Sequence, residues 1–93
     1  MGFGHYIRRQ REERDMTLTE LARRLEISIA YLSRIERGRE NPPPDHLISA
    51  LAGALGLPAD DLFAAARRLP PDLRARTDHV IAVYRKQVGG RRR

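Results

Sequence analysis

The side chains with chemistry to offer are hydroxyls, an amide and guanidiniums, and they gather in one stretch. Thr17, Ser28, Ser33, Arg34, Arg37, Arg39 and Asn41 all fall between positions 17 and 41. Such groups hydrogen-bond phosphate oxygens and base edges. Arginine reaches guanine O6 and N7 with two parallel bonds, worth roughly 1–3 kcal/mol of discrimination against a wrong base. The same set is poor material for catalysis. Ser28 and Ser33 have no histidine near enough to activate them. His5, His46 and His79 lie far apart, with no i, i+4 ligand spacing. Glu12-Glu13 and Asp60-Asp61 are adjacent, and adjacent residues on a helix do not face one site. There is no glycine-rich phosphate loop and no cysteine. These observations point to a binding protein rather than an enzyme, with no cofactor and no metal.

Two short helices must position these groups. Thr17 with Glu20 three residues on has the spacing of a capping box. Leu18, Leu21, Ala22 and Leu25 then form a helical stripe. Glu26 and Ile27 break the rhythm. Ser28 is a second N-cap, Leu32 and Ile35 give the next inward stripe with Tyr31 beside it, and Gly38 stands where a helix end wants positive φ. Helices of about eight residues are too short to stand alone in water. They must be held against something, and the short turn between them reads as a helix-turn-helix. The second helix then turns Ser28, Ile29, Ala30, Ser33, Arg34 and Arg37 outward.

Three segments carry a family resemblance: Met16-Thr17-Leu18-Thr19-Glu20-Leu21-Ala22-Arg23-Arg24-Leu25, Ile27-Ser28, and Tyr31-Leu32-Ser33-Arg34-Ile35-Glu36-Arg37-Gly38. Together they resemble the Cro/C1-type (XRE-like) helix-turn-helix regulators, over about Phe3 to Phe63. The resemblance implies an all-α, five-helix, lambda-repressor-like domain whose third helix enters the major groove of double-stranded DNA. It implies a structural ion pair between Arg11 and Glu36. It places DNA contacts at Thr17, Leu18, Ser28, Ile29, Ala30, Ser33, Arg34, Arg37, Arg39 and Asn41. The chain departs from the family pattern at Leu18, where a polar amide is common, and at Pro43 or Pro44, one of which stands where the loop usually carries Ser and where proline removes amide donors. Ile29 and Ala30 stand where the second helix of such a pair meets base edges. They offer only apolar contact, suited to thymine methyl groups.

Bulk properties agree with a polyanionic partner. The 93 residues carry 18 cationic and 12 acidic side chains, a net charge of +6. Such a balance favours nucleic acid over a membrane surface. No apolar run approaches spanning length and no signal peptide opens the chain, so the expected location is the cytoplasm; the resemblance implies a bacterial or phage system, with the protein on the nucleoid when DNA-bound.

The remaining elements frame the motif. Phe3 to Arg14 reads as the first helix, with Phe3, Ile7 and the stem of Arg11 facing inward. Asp45–Leu55 reads as the fourth, burying Ile48, Leu51, Ala52 and Leu55 with Leu47 at the edge and a close helix approach as one explanation of Gly53. A fifth begins near Pro58 or Ala59, with Leu62, Phe63, Ala66 and Leu69 on its apolar face. The expected organisation is a DNA-binding domain over 1–69, an additional C-terminal helix within 70–88, and a disordered basic tail over 89–93. Leu73, Val80, Ile81 and Tyr84 lie on one stripe of that last helix. It either folds back on the core or forms part of a dimer seam, which the fifth helix, this last helix or both supply. The function expected is a sequence-specific repressor binding a palindromic operator as a homodimer. The alternative is an antitoxin-like module whose last helix holds a partner protein.

Overall fold

A computed structural model describes residues 2–74, and every regular element among them is helical. The helices are α1 (Phe3–Glu13), α2 (Leu18–Leu25), α3 (Ile29–Glu36), α4 (Asp45–Leu55), α5 (Ala59–Ala65) and α6, described over Pro71–Arg74. The expected five-helix domain is therefore present, and the start of the additional helix follows it. Val80, Ile81, Tyr84 and the 89–93 tail lie outside the described residues.

One core joins the elements. Phe3 and Ile7 come from α1, Leu21, Ala22 and Leu25 from α2, and Leu32 and Ile35 from α3. Leu47, Ile48, Leu51, Ala52 and Leu55 come from α4, and Leu62 and Phe63 from α5. α4 packs on α5 and α2, while α1 and α2 both pack on α3. Leu47 belongs to this core and not to its edge.

The C-terminal ends of α1 to α5 share one device. Each is followed by a residue in the left-handed region: Asp15 (φ 52°), Glu26 (57°), Gly38 (73°), Gly56 (66°) and Arg67 (58°). At each, the next residue's amide donates to a carbonyl five positions back. The pairs are Met16 to Arg11 (3.2 Å), Ile27 to Ala22 (3.0 Å), Arg39 to Arg34 (2.9 Å), Leu57 to Ala52 (2.9 Å) and Arg68 to Phe63 (2.8 Å). This six-to-one bond is the signature of a Schellman end, which satisfies carbonyls the helix leaves open. Arg67 explains two departures from expectation. The reversal there ends α5 at Ala65, so Leu69 is not on its inner face and stands 45% exposed.

Glycine matters most at Gly4. A Cβ built there would fall on the Ile35 carbonyl oxygen and lie 2.9 Å from that of Glu36. Only glycine lets α1 approach the end of α3 so closely. Gly53, for which a close helix approach was one explanation, faces open space instead.

Candidate nucleic-acid interface

The two helices of the motif are capped as their residue types dictate. Thr17 Oγ1 accepts from the Glu20 amide at 3.0 Å, and Glu20 Oε1 accepts from the Thr17 amide at 3.3 Å. Ser28 Oγ accepts from the Tyr31 amide at 3.0 Å. Between them the αL residue Glu26 turns the chain, and Ile27 packs against the core. The turn is thus anchored by an apolar side chain and by a backbone bond, which sets the crossing of α2 and α3.

A buried ion pair sets the pose of α3 relative to α1. Arg11 Nε donates to Glu36 Oε2 at 2.8 Å and Arg11 Nη2 donates to Glu36 Oε1 at 2.9 Å, a two-pronged bridge. The side chains are 12% and 5% exposed. Arg11 Nη1 donates to the Met16 carbonyl at 2.8 Å, tying in the α1–α2 corner. Its hydrogen bond to Glu36 raises the Arg11 pKa above the ordinary guanidinium value despite burial. Arg11 and Glu36 are the two residues for which the resemblance implied a pairing.

The outer face of α3 is open. Ile29, 47% exposed, and Ala30 stand at its first turn, Arg34 and Arg37 lie further along, and Ser33 is half-buried. Arg37 Nε donates weakly to the Ser33 carbonyl at 3.4 Å. Arg39 and Asn41 follow in the exposed loop. Leu18 is half-buried against the core, which leaves its backbone amide as its polar offering at the start of α2. Arg8, Leu18, Ser33 and Arg37 line a shallow cleft over the Arg11–Glu36 pair. Thr17, at the N-cap of α2, is exposed with its hydroxyl turned to the Glu20 amide.

Sequence reasoning missed two arginine anchors and one acid. Arg14 Nε donates to the Leu55 carbonyl at 2.6 Å, closing α1 onto the end of α4. Arg68 Nη1 and Nη2 donate to the Pro43 and Pro42 carbonyls at 2.6 and 2.9 Å, and Nη1 also reaches Asp45 Oδ1 at 3.3 Å. They therefore pin the proline loop from behind. Glu40 accepts from Arg34 at 2.9 Å. Each of these partners is distant or lies across a loop, so no local period marks it. Leu73, placed on the expected dimer stripe, is 38% exposed, and the rest of that stripe lies outside the described residues.

Among the described residues no group of three or more His, Cys, Asp or Glu is arranged to hold a metal, and no helix is long and apolar enough to cross a membrane. His5 and His46 are exposed.

Two capped helices crossing at a fixed turn, with the second helix's outer face open, define a helix-turn-helix protein. The chain belongs to the helix-turn-helix domain family, whose model matches residues 3–66. It is similar to an HTH-type transcriptional regulator of Mycobacterium tuberculosis, 35% identical over 91 residues, covering 91% of this chain and 64% of that protein. The chain thus spans less than two thirds of that relative's length. It is also similar to the transcriptional repressor RghR of Bacillus subtilis, 41% identical over 64 residues, covering 69% of this chain and 47% of that one. Among solved structures it resembles the biofilm regulator SinR in complex with DNA, with a TM-score of 0.61 and 28% identity, covering 66% of this chain and 97% of that chain. The clp gene regulator ClgR of Corynebacterium glutamicum matches with a TM-score of 0.61 and 34% identity, covering 70% of this chain and 83% of that one.

Proposed function

We propose that this chain is a sequence-specific DNA-binding transcriptional regulator, a repressor that places α3 in the major groove of a palindromic operator as a homodimer. The observation that carries the reading is the outer face of α3. Ile29 and Ala30 stand at its first turn and Arg34 follows about one turn on, within a rigidly capped motif. That face offers methyl-accepting apolar surface beside one guanine-reading side chain. The half-buried or exposed polar groups around it, Thr17, Ser28, Ser33, Arg37, Arg39 and Asn41, together with the Leu18 amide, suit the sugar-phosphate backbone. SinR, a structural neighbour, has been crystallised with DNA. In a homodimer the two recognition helices fall about 34 Å apart, one duplex turn, and repression is steric occupation of the operator.

The second copy of this chain is assigned to the stripe that opens with exposed Leu73 and continues in sequence through Val80, Ile81 and Tyr84. A partner protein on the same stripe is the competing occupant, and light scattering of the purified chain separates the two. A clean dimer favours the operator model, and a monomer that captures a neighbouring gene product favours the other.

The deciding experiment is selection of bound duplexes from a random pool, followed by anisotropy titration against salt. Operator binding requires log affinity to fall linearly with log salt, through counterion release. It also requires Arg34→Ala to lose discrimination at one base pair of each half-site. Salt-independent binding, or an unaltered preference in Arg34→Ala, overturns the reading.

A further inference from the structure

Arg34 does not project freely from α3. Its Nε donates to Glu40 Oε1 at 2.9 Å, and its guanidinium carbon lies 6.0 Å from the centre of the Tyr31 ring. Both members of the ion pair remain partly open to solvent, at 45% and 37% exposure. The backbone, not the ion pair, brings them together. Gly38 reverses the chain at φ 73°, and the Arg39 amide donates back to the carbonyl of Arg34 itself. The reversal therefore returns residue 40 to the side of α3 from which Arg34 projects. Beyond it, Arg68 holds the Pro42 and Pro43 carbonyls, and Pro43 is buried. The carboxylate thus sits on a loop held on both sides of it, at Arg39 and at Pro42-Pro43.

We infer that Glu40 is a specificity-determining residue that acts by positioning Arg34. The inference rests on the α3 groove reading proposed above. The pairing engages Nε, and the two terminal nitrogens are the pair that reaches guanine O6 and N7 end-on. Held by Nε and backed by the Tyr31 ring, the guanidinium is ordered before it meets a base, so less rotamer freedom is lost on binding. The carboxylate has a second effect. It neutralises Arg34 locally and is itself repelled by phosphates, so Arg34 gains little by straying to the backbone of an arbitrary duplex. Glu40 thus lowers non-specific affinity while it sharpens base choice.

The test uses the full 93-residue chain, a duplex recovered from the random pool, its single-base-pair variants and a shuffled duplex. Arg34→Ala first identifies the base pair that Arg34 reads. At that pair, Glu40→Ala reduces discrimination by about tenfold, while Glu40→Gln, which keeps an oxygen acceptor, retains most of it. On the shuffled duplex both variants bind more tightly than the parent, with a salt slope steeper by about one phosphate contact. If Arg34→Ala loses discrimination but Glu40→Ala does not, the positioning role is overturned and the groove reading stands. If Glu40→Ala shifts affinity for all duplexes by one common factor, only bulk charge is at work and the inference likewise fails. If Arg34→Ala changes no base preference, both fall together.

Discussion

Gly4 of α1 lies against the Ile35 carbonyl at the end of α3, at a spacing that no side chain fits. The obstacle is backbone, which cannot swing aside. Gly4→Ala therefore forces α1 and α3 apart and outweighs the gain of roughly 1 kcal/mol that alanine brings to a helix interior. The expected result is a net loss of up to about 2 kcal/mol in urea denaturation. Gly53→Ala, in the middle of α4 with open space at its Cβ position, goes the other way and stabilises by about 0.5–1 kcal/mol. Equal effects at the two positions would show that the helix approach is not as close as described.

The buried bridge between Arg11 and Glu36 is expected to be costly to break from one side. Glu36→Ala leaves a part-buried guanidinium with its carboxylate partner gone, and a loss of about 3 kcal/mol, the low end for a buried pair, is expected by chemical denaturation. Glu12→Ala removes only an exposed pairing to Arg8 at 3.5 Å and is expected to cost under about 1 kcal/mol.

Three of the five left-handed helix ends carry a side chain that disfavours that conformation. Glycine at Asp15, Glu26 or Arg67 relieves a backbone cost of about 1 kcal/mol each. Each single replacement is expected to raise the unfolding midpoint. A drop at Glu26 would mean that its side chain contributes more to the turn than its backbone costs.

Burial, reinforced by Asp61, raises the Tyr6 phenol above its ordinary pKa of about 10. A group whose folded pKa is raised contributes stability that is complete below the unfolded value and is lost as pH climbs through the folded one. The chain is expected to lose stability above about pH 10, and Tyr6→Phe is expected to remove part of that loss. Absorbance titration at alkaline pH, with Tyr6→Phe as the difference, reads the shift. Ionisation of Tyr6 at or below the ordinary phenol value contradicts it.

The contrast among helix ends explains what the amino-acid order discloses. Gly38 and Gly56 announce their turns because glycine is the residue type such a conformation favours. Asp15, Glu26 and Arg67 adopt the same backbone without that signature, so α5 reads too long and Leu69 falls on the wrong side. The capping box at Thr17 and the cap at Ser28 are local, within three residues, and were legible. The outward face of α3 was legible from its period alone. The groups that steady that face were not. Glu40 reaches Arg34 around a reversed loop, and Arg68 reaches back to Pro42 and Pro43 from beyond α5. Contacts that depend on where a chain returns leave no periodic trace. The Arg11–Glu36 pairing lies 25 positions apart and was accessible only through resemblance to related chains.

The closeness of α1 to α3 has a consequence for how such a protein changes its preferences. α1 carries none of the groups assigned to bases, yet Gly4, Ile7 and Arg11 fix the attitude at which the third helix is presented. A slight tilt there re-aims Ile29 and Arg34 together while leaving both intact. Under the α3 groove reading proposed above, heritable shifts in target choice can therefore arise in the first eleven residues, without any change at Ile29 or Arg34.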